Sequence, residues 1–174
     1  MSRPTIHEKA TFLGDAVFAG DDGIITTFAV VAGAVGASLP SCVIIILGFA
    51  NLFADALSMA SGHYLGVKSE IDYQKAEGDN KDLARSPLKH GLVIFVSFVL
   101  AGLIPLIPYL LNLSASFLAS ALLVAASLFT IGAIRAYLAK KNILSGGLEM
   151  FIVGGLAAVI AYFVGLLLRK YVVV

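Results

Sequence analysis

Apolar residues run along this chain in stretches of twenty and more, broken by short polar pieces, with little of the two-residue or three-to-four-residue alternation of a water-soluble fold. A hydrocarbon layer about 30 Å thick is crossed by about 20 helical residues, so runs of that length predict membrane-spanning helices. Five qualify: about 12–38, 42–65, 90–111, 115–138 and 148–168. A very short turn at Pro40 separates the first two, "NLSAS" the third and fourth, and "KKNILSGG" the fourth and fifth. Pro105 and Pro108 in "GLIPLIPYLL" lack amide hydrogens and are expected to kink or end the third helix near the outer boundary, where Tyr109 suits an interfacial anchor. The longest polar stretch, 66–89, is too short to enclose a core of its own. The chain therefore reads as one all-α, polytopic transmembrane domain over 1–174. In the 66–89 stretch Glu70, Asp72, Glu77, Asp79 and Asp82 alternate with bases, the pattern of a solvated cytoplasmic loop or a short helix at the interface. No fixed-period repeat is evident, and an odd span count does not suit a simple inverted duplication.

Composition agrees with the pattern. Of 174 residues, 59% are hydrophobic and 13% charged, with mean hydropathy +0.96, where soluble domains are about half apolar and about a quarter charged. A net charge of +1 gives no electrostatic case for nucleic acid. The single cysteine, Cys42, permits no disulfide within the chain, and no spaced Cys/His set points to structural zinc. "MSRPTIHEKATFLGD" lacks the architecture of a removable signal. Placing the N-terminus in the cytoplasm puts Arg3, Lys9, Lys68, Lys75, Lys81, Arg85, Lys89, Arg135, Lys140 and Lys141 inside, ten of the twelve bases, and leaves Arg169 and Lys170 on the far side with the C-terminus.

Against that background the acids inside the apolar runs stand out. A charged Asp at the centre of a membrane helix costs about 2.5–3.5 kcal/mol on insertion scales, so such residues usually serve a function. Asp55 lies deep in the second span and Asp22 deep in the first, with Asp15 and Asp21 nearer its cytoplasmic end. Asn51, Asp55 and Met59 recur every four residues, which projects amide oxygen, carboxylate and thioether along one helix face. On the first span Asp15 and Asp22 are seven residues apart and Thr26 lies four beyond Asp22, which again puts polar atoms on one side. Ala50, Ala54, Ser58, Ser61 and Gly62, with Gly33 and Gly36, supply small surfaces for close helix packing. Carboxylates attract divalent cations, and a thioether tilts the preference from magnesium and calcium toward first-row transition metals such as Fe²⁺ or Mn²⁺. Protons compete for the same oxygens, so proton exchange follows naturally.

Blander roles compete with each of these. An intramembrane Asp can cap a helix or bind a Thr hydroxyl, although no Lys or Arg lies at comparable depth to pair with it. Met59 taken alone is commonly gap-filling core, and Asn51 a bridge between helices. Glu149, followed by Met150 at the start of the fifth span, reads equally as a ligand at the metal entrance or as an acid favouring a helix N-terminus. His63 and His90 lie near the cytoplasmic surface, and a bis-imidazole haem site is a weak reading of them.

"DDGIITTFAVVAGAVGAS" and "GFANLFADALSMASGHYLGVKSE" together resemble the vacuolar iron transporter family, also named for the yeast calcium cross-complementer. "SFVLAGLIPLIPYLL" and "GGLEMFIVGGLAAVIAYFVG" extend the resemblance over nearly the whole chain. It implies a non-enzymatic, five-span homodimer that moves Fe²⁺, and often Mn²⁺, out of the cytosol in exchange for protons, along a path between the two copies of the first span. No permanently bound cofactor is implied. The family's first-span acid matches Asp22 and its second-span methionine matches Met59; Asp55 and Asn51 complete the expected metal site, with Thr26 behind them. Plant-type members carry a glutamate where this chain has Asn51, and here the acid comes one turn later, at Asp55. Well-known eukaryotic members also insert a long Glu- and Met-rich cytoplasmic domain between the second and third spans, where this chain has only 66–89, without methionine. His63, Glu70 and Glu149 are the expected substitutes at the inner mouth. The membrane is expected to be the cytoplasmic one in a prokaryote and the vacuolar one in a eukaryote. Two rivals remain, a passive divalent channel and a non-transporting scaffold or redox-enzyme subunit.

Overall fold

A computed structural model of the chain describes the backbone of residues 6–78 and 86–172 and the side chains of 10–78 and 86–171. Arg3, Lys81, Arg85, Asp79, Asp82 and the side chain of Lys9, which enter the charge reading above, lie outside the described residues. The described chain is a helical bundle: α1 (Ile6–Gly36), α2 (Ser41–Ala76), α3 (Pro87–Gly102), a 3₁₀ turn (Ile104–Leu106), α4 (Ile107–Leu110), α5 (Ser116–Leu138) and α6 (Ile143–Val172). Five stretches are long and apolar enough to cross a membrane, with α3, the 3₁₀ turn and α4 together making the third. The five predicted spans are thus all present.

α1 runs through the middle, touching α2, α3, α5 and α6. It comes that close because its contact points are glycines. A Cβ added at Gly23 would meet the backbone oxygen of Phe98 in α3 at 2.5 Å, and Gly165 of α6 sits directly on the backbone of Gly33. Gly132 and Gly146 make the same kind of crossing between α5 and α6. With lipid on the outside, such backbone-to-backbone approach supplies the dispersion contact that hydrophobic exclusion cannot supply between helices. Phe98, Ile24, Leu52, Ile94, Leu106 and Leu128 fill the enclosed centre.

The prolines break the third span as expected. α3 stops at Gly102, and Ser120 of α5 donates its hydroxyl to the Pro105 carbonyl at 2.7 Å, satisfying an acceptor freed by the break. At the far end Arg169 donates to the Ser38 hydroxyl at 2.6 Å, which places the end of α6 beside the α1–α2 turn, opposite the start of α1.

α2 differs from the sequence reading. It continues as helix well beyond Leu65, to Ala76, and 36 residues at about 1.5 Å each make a rod of about 54 Å, longer than the ~30 Å core. It ends where Gly78 takes a φ of +73°, the left-handed conformation that closes a helix C-terminus at little cost for glycine.

Candidate functional site

α2 carries Asn51, Asp55, Met59 and His63 at four-residue spacing, and α1 carries Thr26, Asp22 and Asp15 in antiparallel order. The packing brings the two series into register. Asp22 and Asp55 lie within electrostatic reach of one another, and Asp15 meets His63 nearer the start of α1, with Nε2 3.2 Å from Oδ1. Asp22 and Asp55, and Asp15 and His63, are thus neighbours across α1 and α2.

Each member is held by local contacts. Asn51 Nδ2 donates to Asp55 Oδ2 at 2.8 Å, orienting the carboxylate along its own helix. Thr26 donates its hydroxyl to the backbone oxygen of Asp22 at 2.8 Å, so it shapes the turn that carries the acid and leaves the carboxylate untouched. Met59 is half-buried, packs against the apolar core on one side, and lines a groove of about 490 Å³ with Phe18, His63, Glu70 and Ile94. Asp22 and Asp55 are likewise half-buried. Carboxylate, amide and thioether are donor types that can coordinate a dication, and repulsion between neighbouring carboxylates is relieved when a cation or protons sit between them.

The other expected residues are distributed differently. Glu149 on α6 accepts from Arg135 Nη2 at 2.6 Å, on the opposite flank of α1. Its neighbour Met150 is buried and lines a cleft with Asp21 and Arg135. Adjacent acids on α1 thus serve two flanks, Asp22 toward α2 and Asp21 toward α5 and α6. The small residues also divide. Gly33 and Gly36 pack against α6, whereas Ala50, Ala54, Ser58, Ser61 and Gly62 form an exposed strip on α2.

His63 and His90 are neighbours, with ring centroids 5.9 Å apart, but the Asp15 carboxylate lies between them and contacts both. That arrangement leaves no room for a porphyrin between the imidazoles. The role of Asp15 and His90 is the feature that sequence reasoning missed. The signal available was His63 as the next rung after Asn51, Asp55 and Met59, together with Asp15 seven residues before Asp22.

Comparison with known proteins gives the family. The model of the VIT family matches residues 13–83 and 77–166. The chain is 28% identical to a "Vacuolar iron transporter" of Toxoplasma gondii, over 95% of this chain and 77% of that protein. It is 30% identical to "Vacuolar iron transporter homolog 3" of Arabidopsis thaliana, over 89% of this chain and 82% of the relative. It is 27% identical to "Protein CCC1" of Saccharomyces cerevisiae, over 87% and 67% respectively.

Proposed function

The chain belongs to the VIT family, and from that premise we propose that it carries a divalent transition metal, Fe²⁺ or Mn²⁺, out of the cytosol in exchange for protons. The observation that carries this reading is the proximity of Asp22 on α1 to Asp55 on α2, with Met59 one turn beyond Asp55 on the same helix, where it lines a groove of its own. The carboxylates bind either the dication or protons, Met59 adds a soft donor, and Asn51 holds Asp55 in place. With α1 starting in the cytosol, Lys68, Lys75, Lys89, Arg135, Lys140 and Lys141 lie on the inner side and Arg169 and Lys170 on the outer.

The working unit is a homodimer. Asp22 and Asp55 are half-exposed at the depth of the membrane, where facing lipid would cost several kcal/mol. A second copy laid against the exposed small-residue strip of α2 and the adjoining face of α1 turns that open face into an enclosed path.

Reconstituted vesicles loaded with a metal-quenched dye test the reading. Wild-type protein is expected to take up Fe²⁺ or Mn²⁺ faster when the receiving side is acidic, and Asp22→Asn to lose more than about 10-fold of that flux. Absence of flux for any first-row dication ends the proposal. Flux indifferent to the pH gradient replaces it with a passive channel.

A further inference from the structure

We propose that Asp15, His63 and His90 form a second metal site, a receiving position for a first-row transition dication at the end of the bundle where α1 begins. The three residues come from α1, α2 and α3, and one donor atom from each lies within 4.8 Å of the others. Among the described residues this is the one such grouping of His, Cys, Asp and Glu. Asp15 is 13% exposed, His63 32% and His90 0%.

The contacts within the cluster suit a cation. His63 Nε2 is shut off from solvent, makes no hydrogen bond, and still lies 3.2 Å from Asp15 Oδ1. At that distance something positive stands between the nitrogen lone pair and the carboxylate oxygen, either a proton on Nε2 or a metal ion in the proton's place. The other carboxylate oxygen contacts His90 Nδ1 at 2.5 Å, and the His90 ring is fixed by Phe12, stacked at 4.4 Å. One carboxylate thus spans two imidazoles, one of them locked.

Two imidazoles and one carboxylate suit Fe²⁺, Mn²⁺ or Co²⁺ and disfavour Mg²⁺ and Ca²⁺, which prefer oxygen donors throughout. Bonds of about 2.0–2.2 Å hold neighbouring donors about 3 Å apart, so the cluster needs to contract by no more than about 2 Å around an ion. Three protein donors leave coordination positions open, which favours passing the ion onward over trapping it. The onward direction is built in, because His63 also lines the groove that contains Met59. Seven residues along α1 or eight along α2 separate this cluster from Asp22 and Asp55, about 11 Å at 1.5 Å per residue.

The inference deepens the transport reading and rests on it for the ion's destination, while binding at the cluster stands or falls separately. The test uses the purified full chain in detergent, with Co²⁺ as probe, in wild type and in an Asp22→Asn/Asp55→Asn background that removes the deep site. In that background the chain is expected to bind one Co²⁺ with the visible ligand-field spectrum of nitrogen coordination. Adding His63→Gln is expected to weaken binding at least about 10-fold, the loss that even residues behind metal ligands produce. His90 is fully enclosed and its replacement risks unfolding, so the half-exposed His63 carries the mutational test; nitrogen modulation in the pulsed EPR of bound Mn²⁺ reports imidazole ligation without any mutation. No Co²⁺ binding in the double variant, or undiminished affinity after His63→Gln, overturns the site and leaves a proton-bridged cluster tying three helices together. Vesicles that carry metal while the cluster binds none refute this inference alone; a cluster that binds Co²⁺ in a chain without flux refutes transport alone.

Discussion

Asn51 Nδ2 donates to Asp55 Oδ2 at 2.8 Å across one turn of α2, which orients the carboxylate without neutralising it. A hydrogen bond to a charged group contributes about 1.5–3 kcal/mol, and Asp55 is only half-buried, so the lower end applies. Asn51→Leu is therefore expected to raise the metal concentration for half-maximal uptake by about 10-fold while the protein stays folded. An unchanged half-saturation point assigns Asn51 to packing alone.

Met59→Leu keeps volume and apolarity and removes only the sulfur. Competition uptake with mixed metals is expected to show a larger loss for Fe²⁺ and Co²⁺ than for Mn²⁺, because the softer ions gain more from a thioether. Equal losses for all three mean that Met59 shapes the groove without coordinating.

Binding to carboxylates displaces protons, and the sign follows directly: lowering the pH fills the oxygens with protons and weakens the metal. Affinity measured by calorimetry in detergent is expected to fall as pH falls, by up to about 10-fold per unit for each proton displaced. Asp22→Asn flattens the slope. A wild-type affinity independent of pH removes the basis for exchange.

Gly165→Ala forces a methyl group onto the Gly33 backbone and is expected to cost about 1–3 kcal/mol, seen as a lower melting temperature in detergent. Gly155 on the same helix has nothing within 4 Å of a built Cβ, so Gly155→Ala should be neutral or slightly stabilising. Equal effects at both positions mean that the α1–α6 crossing is looser than described.

Ala54 lies on the exposed small-residue strip of α2. In a Cys42→Ser background, Ala54→Cys is expected to form disulfide-linked dimers in native membranes, with most of the chain shifted to twice its mass on non-reducing gels. Failure to cross-link there and at Ser58 moves the dimer contact off α2.

The five spans were legible because hydropathy reports directly on lipid, and Pro40, Asn112 and Asn142 punctuate them. The end of α2 was not, because hydropathy marks where lipid stops and says nothing about where hydrogen bonding stops; Lys68, Glu70 and Lys75 are sound helix formers in water. Gly78 in "AEGDN" was the overlooked stop signal. Asp22, Asp55 and Met59 could be found because each breaks the rule for its surroundings within a single helix. The Asp15–His63–His90 cluster depends on the register of three helices, which periodicity along one chain does not encode, and His63 and His90 individually resemble ordinary interfacial histidines.

α2 is also a lever. From Asp55 to Ala76 no break interrupts it, and 21 residues at 1.5 Å place the tip about 30 Å from the fulcrum. If α2 tilts by about 10° about Asp55, that tip moves through about 5 Å.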